Sequence, residues 1–193
     1  MKTYSSLLLF VAFTMGGVSA NAQALYRLPL ASNPGYSAWF DHDTSTSLLR
    51  YDCNTTFQYN DHHGTDFACS TGTNVFAGAT GTIYFTTNGC PDGSSPTCGG
   101  GYGNHIRLQA TRDGRVSIYA HLESGTLTSL TSVGCGFLIA QSGASGDATG
   151  PHLHFELWQN TSIGTRLDFF GGACNSPSFW VNQNGGFPTT TCQ

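Results

Sequence analysis

The sequence predicts an all-β domain of largely antiparallel strands, with few or no helices and support from disulfides. Three observations carry this. Short stretches alternate apolar and polar residues at period two, as in Gly150-Pro151-His152-Leu153-His154-Phe155-Glu156-Leu157, where Leu153, Phe155 and Leu157 fall on one side and His152, His154 and Glu156 on the other. Turn-forming Gly, Pro, Asn and Asp punctuate these stretches at short intervals. No segment carries an apolar stripe at helical spacing.

Taken in order, the chain opens with one positive charge, Lys2, then an apolar run from Leu7 to Met15, then small residues at Val18-Ser19-Ala20 and Ala20-Asn21-Ala22. Residues 1–22 are therefore expected to be a secretory signal peptide, since the run is too short to cross a bilayer. Residues 23–60 lack clear periodicity and read as an irregular arm with short strands, fixed by Cys53. The core is expected over residues 61–167. Thr73–Ala77 and Thr82–Phe85 are strands split by Gly78-Ala79-Thr80-Gly81, and residues 87–103 form a long Gly-, Ser- and Cys-bearing loop. His105–Ala110 alternates, with Ile106 and Leu108 on one side. Arg112-Asp113-Gly114 is a hairpin turn, and Arg115–His121 is its partner strand. On that strand Val116, Ile118 and Ala120 mark the expected core side, with Ser117, Tyr119 and His121 on the other. Phe137–Ala140 is another strand, followed by the His152 segment. Residues 168–193, with Phe169, Phe170, Phe179 and Trp180, read as a cystine-tied tail packed on the core.

Composition narrows the function classes. Lys2 is the only lysine, so beyond the signal six Arg face eleven Asp plus Glu. Such a chain has no basic footprint for nucleic acid or an anionic membrane. With an export signal, the seven cysteines read as disulfides in an oxidising compartment, secreted or periplasmic. Cys90 and Cys98 bracket a short loop and could bridge locally; Cys174 could meet Cys192, and Cys53 could meet Cys69. That leaves Cys135, among apolar neighbours, as a buried thiol. A soluble monomer is the default expectation.

Histidines occur in three separated places. His62-His63-Gly64-Thr65-Asp66 can set an imidazole and a carboxylate on one ion if it is a tight loop entering a strand. His121 ends the strand Arg115–His121. His152 and His154 project from one face of theirs, an arrangement suited to a metal ligand with a catalytic neighbour. Glu156, one step further, is read as facing solvent, with a hydrogen bond to a ligand as the alternative. His42 and His105 are read as ordinary.

Together these segments resemble the M23 family of zinc metallopeptidases, the LytM or lysostaphin-like enzymes that cut peptidoglycan cross-links. The family pattern is H-x-x-x-D, a lone His at a strand end, then H-x-H. Flanking stretches share the resemblance: Gly72-Thr73-Asn74-Val75-Phe76-Ala77, Tyr102-Gly103-Asn104-His105-Ile106, and Ser142–Gly146 running to Thr149-Gly150-Pro151. It implies a lysostaphin/LytM-like fold whose antiparallel sheets form a groove, and one zinc ion per chain, held by His62, Asp66 and His154. His63, as the x of the motif, would not bind. His121 and His152 would be the catalytic pair beside a zinc-activated water, their separate roles left open. The implied function is an exported zinc endopeptidase acting on peptidoglycan peptides. Two alternatives stay open: a non-catalytic wall- or regulator-binding domain on the same scaffold, and a secreted zinc protease acting on Gly-rich proteins.

Overall fold

The computed structural model describes residues 25–56, 60–93, 95–162, 164–183 and 188–192. The expected signal peptide, residues 1–22, lies outside the described residues. The strands are β1 (Tyr36–Ala38), β2 (Leu48–Leu49), β3 (Thr55–Thr56), β4 (Thr65–Phe67), β5 (Asn74–Phe76), β6 (Gly81–Thr87), β7 (Asn104–Ala110), β8 (Val116–Leu122), β9 (Ser132–Val133), β10 (Leu138–Gln141), β11 (Leu153–Trp158) and β12 (Arg166–Leu167). Among the described residues there is no α-helix. A short 3-10 turn at Cys98–Gly101 is broken by left-handed Gly99 and Gly100.

One eight-stranded antiparallel sheet dominates, in the order β1-β4-β11-β8-β7-β6-β9, with β12 also on β11. Two small sheets, β10-β5 and β2-β3, complete the architecture. The β7–β8 hairpin closes where the sequence indicates: Ala110 N–H donates to Arg115 O, and Gly114 takes a φ of 75° that the tight return requires. Alternation on β7 buries Ile106 and Leu108 in the main core, as expected. The tail fills the rest of that core. Phe155 stacks on Phe169 at 4.3 Å, and Phe169 stacks on Trp180 at 4.7 Å. Each such pair adds about 0.5–1.5 kcal/mol beyond area burial. Tyr26, Leu28 and Leu30 of the arm pack into the same cluster.

Three expectations are corrected. First, the principal core side of β8 is the one carrying Tyr119, not the one carrying Val116 and Ile118. Tyr119 packs on Phe155, and its hydroxyl accepts Gly78 N–H at 2.7 Å. Val116, Ile118 and Ala120 instead form a second, smaller cluster with Trp158, against which Tyr102 packs. Both sheet faces are covered, so apolarity alone does not single out the main core. Second, β11, whose period-two alternation reads as a half-buried strand, has all six of its residues buried. Third, the disulfides are Cys53–Cys174, Cys90–Cys98 and Cys135–Cys192, and the buried free thiol is Cys69. The local Cys90–Cys98 bridge is as expected. The Cys53–Cys69 and Cys174–Cys192 pairings are not formed, because both chain ends are stapled to distant parts of the molecule.

Candidate metal centre and active site

Strand register builds the site. β11 runs antiparallel between β4 and β8, which sets His154 directly opposite Asp66 on one side and Ala120 on the other. Residues directly opposed across strands have Cβ atoms about 4.5–5.5 Å apart. The side chains therefore meet, with His154 Nδ1 2.7 Å from Asp66 Oδ1. His62 comes from the turn before β4; its Nε2 is 3.1 Å from His154 Nδ1 and 3.2 Å from Asp66 Oδ1. Gly64 makes the approach possible. A Cβ there would lie 2.7 Å from the Phe155 carbonyl oxygen and 2.9 Å from the His154 ring. The three candidate ligand atoms all lie within 4.8 Å of one another, and the three residues are buried.

The outward nitrogen of each ring in this cluster has an acceptor. His62 Nδ1–H donates to the Trp39 carbonyl at 2.7 Å, and His154 Nε2–H to Glu156 Oε1 at 3.0 Å. His62 Nε2 and His154 Nδ1 are thereby aimed at the same place. Burial opposes the charge of Asp66, but hydrogen bonds from His154 and His62 outweigh it and hold the carboxyl well below the usual carboxylate range. Burial likewise opposes a charge on His154, yet Asp66 and Glu156 raise its pKa to about 10.

His121 and His152 pack beside the cluster, their ring centroids 4.6 Å apart and that of His121 5.7 Å from His154. His121 Nδ1–H donates to Ser145 O at 2.8 Å, and His152 Nδ1–H to Gly150 O at 2.8 Å. In both rings Nε2 is left as the acceptor nitrogen. Burial, then the neighbouring His154 and His152, pull the His121 pKa down to about 3, so its ring is neutral at neutral pH. Regular alternation would carry His121 to the Tyr119 side, into the core. It reaches the site because β8 bulges there: the β7–β8 register shifts between Asn104 and Ile106, and His121 adopts a φ of 57°. That backbone state costs a non-glycine residue about 1–3 kcal/mol. The Tyr102 carbonyl helps hold it by accepting His121 N–H at 2.9 Å.

Glu156 does not face solvent. It is 2% exposed and accepts hydrogen bonds from Tyr102 Oη at 2.9 Å and Trp158 Nε1 at 2.5 Å as well as from His154. Burial raises its pKa, but hydrogen bonding from His154 leads a larger opposing effect that brings it to about 2. Alternation placed Glu156 on the His154 side; it could not show that Tyr102, Trp158 and Arg166 cover that side. Tyr102 and Trp39 were not picked out as site residues either. Trp39 acts through its backbone, which leaves no mark on residue type. His63 stays outside the cluster and pairs with Asp61 at 2.9 Å. His105 is buried beside Gly103 O, and His42 pairs with Asp168 at 2.9 Å, both away from the cluster.

The cluster floors an open groove of about 610 Å³. One wall carries Gly100, Gly101 and Tyr102, which follow the Cys90–Cys98 loop; Ser37, Ala38, Asp61 and His63 line another part, and Asp147, Thr149 and Arg166 complete the lining.

A Vibrio cholerae peptidoglycan DD-endopeptidase, ShyA, is 34% identical over 96 residues, 50% of this chain and 20% of its own length. A DD-carboxypeptidase/endopeptidase, Mpg, of Neisseria meningitidis is 37% identical over 95 residues, 49% of this chain and 19% of its own. The chain thus spans about a fifth of the length of these relatives. Among solved structures, a zinc-containing peptidase from Vibrio cholerae shares the fold, with a TM-score of 0.50 and 23% identity over 80% of this chain and 41% of that one. Residues 60–165, which hold all five positions of the histidine and aspartate pattern, match Peptidase family M23, and the chain belongs to that family.

Proposed function

We propose that the protein is an exported zinc endopeptidase that hydrolyses peptide bonds in the stem or cross-bridge peptides of peptidoglycan. The observation that carries this reading is the buried set of His62 Nε2, Asp66 Oδ1 and His154 Nδ1 on the groove floor, with each outward ring nitrogen already satisfied. Ligands about 2.0–2.2 Å from a tetrahedral zinc ion sit roughly 3.3–3.6 Å from one another. The separations here are 3.1, 3.2 and 2.7 Å, so the three residues fit one ion with little movement. A shell of two imidazoles and one carboxylate is also a catalytic zinc donor set.

Bound zinc would lower the pKa of water to about 7 and polarise the scissile carbonyl. The chain supplies the rest. His121 and His152, each with Nδ1–H tied to a backbone carbonyl, present Nε2 as a proton acceptor. One takes the proton of the attacking water and passes it to the leaving amine. The other donates to the oxyanion through an Nε2–H whose proton it takes up from bulk water. Small groove residues, Ala38, Gly100, Gly101 and Thr149, suit peptides rich in Gly or Ala. The name of the Vibrio cholerae relative, a peptidoglycan DD-endopeptidase, supports peptidoglycan as the substrate class. Three disulfides support an oxidising compartment outside the cytoplasm.

The test is to measure zinc content of the purified protein, digest purified peptidoglycan beside a Gly-rich protein, and map cut bonds by mass spectrometry. About one zinc per chain and cleavage of peptidoglycan peptides are expected. His121→Ala should lower kcat by at least about 100-fold with zinc content unchanged. A metal-free protein that leaves peptidoglycan intact at every zinc level would sink the proposal.

A further inference from the structure

We infer that Glu156 is a positioning residue for the metal centre: its carboxylate fixes the orientation of His154 and the proton on Nε2, and Tyr102 ties that carboxylate to the backbone of His121. This rests on the zinc reading above and goes one layer beyond the three ligands.

The geometry is specific. A carboxylate is an acceptor only, and three donors converge on this one: His154 Nε2 and Tyr102 Oη on Oε1, and Trp158 Nε1 on Oε2. Arg166 Nε stands 3.6 Å from Oε2 and adds positive charge on the same side. Trp158 is itself held in place, buried against Val116, Ile118 and Ala120 with Arg107 and Arg166 over its ring. With Nε2–H committed to Glu156, Nδ1 is the nitrogen left to take a metal once its own proton is displaced, and it faces Asp66 and His62. A histidine free to rotate would place Nε2 there instead in part of the population. Partners of this kind on a ligating histidine are worth about 10- to 100-fold in metal affinity.

Tyr102 extends the link. Its hydroxyl donates to Glu156 while its carbonyl accepts the amide of His121, whose left-handed backbone delivers that ring to the site. A single groove-wall residue thus fixes the partner of a ligand and the strained residue beside it.

The experiment measures zinc affinity by chelator competition in wild type, Glu156→Gln, Glu156→Leu and Trp158→Phe, with melting temperatures alongside. Gln keeps an acceptor oxygen for His154 but loses the charge, and should weaken zinc binding about tenfold; Leu leaves Nε2–H without an acceptor and should approach 100-fold. Trp158→Phe removes one donor to Glu156 but keeps the His154 contact, and should lower the melting temperature while weakening zinc binding by clearly less than Glu156→Gln. The visible spectrum of the cobalt-loaded Gln variant should also shift. The inference is overturned if both Glu156 variants bind zinc like wild type, or if Trp158→Phe weakens zinc as much as Glu156→Gln. If the Leu variant does not fold, the Gln variant decides alone. Nitrogen-15 NMR of zinc-loaded wild type gives an independent check: a His154 bound through Nε2 with Nδ1 protonated overturns it. A wild type that binds no zinc overturns the metal reading itself, a distinguishable result.

Discussion

At the scale of single residues, His154 is governed by the two carboxylates that flank it. In the metal-free protein Asp66 and Glu156 hold its pKa up near 10, against a usual value of about 6.5. A metal on Nδ1 must displace that proton. Below pH 10, therefore, metal affinity should rise about tenfold per pH unit as one proton is released per ion bound. Chelator-competition titrations between pH 6.5 and 9 would measure the slope, and a flat profile would mean that His154 is already neutral. The same shift has a stability consequence. A raised folded-state pKa stabilises the metal-free protein fully below about pH 6.5, and that contribution is lost as pH rises toward 10. Zinc-loaded protein has no such proton to lose, so the gain in melting temperature on adding zinc should grow across this window. Only part of this environment was legible in the sequence. Asp66 and His154 stood out by spacing and alternation. The role of Glu156 depends on Tyr102, which is 54 residues away in the chain, and no local pattern reports that contact.

At the scale of elements, the site depends on two strands being pressed together at one glycine. Gly64, just before β4, lies against the Phe155 carbonyl and the His154 ring, at 2.7 and 2.9 Å from any added Cβ. Gly64→Ala should therefore push β4 and β11 apart, weaken metal binding at least tenfold, and cost about 1–3 kcal/mol of stability as an overpacked contact does. Gly150→Ala is the matched control. Nothing lies within 4 Å of a Cβ there, and the carbonyl that holds His152 is retained, so affinity and melting temperature should stay close to wild type. Equal behaviour of the two variants would remove the steric argument. Strand existence was legible from alternation: β5, β6, β7, β8, β10 and β11 lie where period-two segments occur. The bulge at His121 was not. A φ of 57° at a non-glycine residue leaves no signature in residue type, yet it decides which face the imidazole reaches. The expectation that His121 avoids the core was met through that bulge and not through the alternation invoked for it.

At the scale of the whole molecule, the disulfides divide the work of holding the fold from the work of shaping the groove. Pairing of sequence neighbours is the natural guess when only spacing is known, and it succeeds for Cys90–Cys98, separated by 8 residues. It fails for Cys53, which reaches Cys174 across 121 residues, because arm and tail share one core through Tyr26, Leu28, Phe169 and Trp180. This long bridge matters for the site as well as for stability. The arm it fastens carries Trp39, whose carbonyl fixes His62, and Asp41, whose carboxylate accepts Asp61 N–H beside it. By loop-closure entropy, closing 121 residues restrains the unfolded chain by about 5 kcal/mol, against about 2.5 kcal/mol for 8 residues. Replacing Cys53 and Cys174 by Ser should thus lower the denaturant midpoint by more than replacing Cys90 and Cys98, and should weaken metal binding as the arm loosens from His62. The Cys90–Cys98 pair should act differently: its loop leads into Tyr102, and Gly103 N–H donates to Cys98 O. Under the proposed function, its removal should raise KM for peptidoglycan peptides while costing less stability than removal of Cys53–Cys174. Denaturant titrations and steady-state kinetics on the two double variants separate these effects. A larger loss of stability from the short bridge than from the long one would show that arm and tail unfold independently of the sheet.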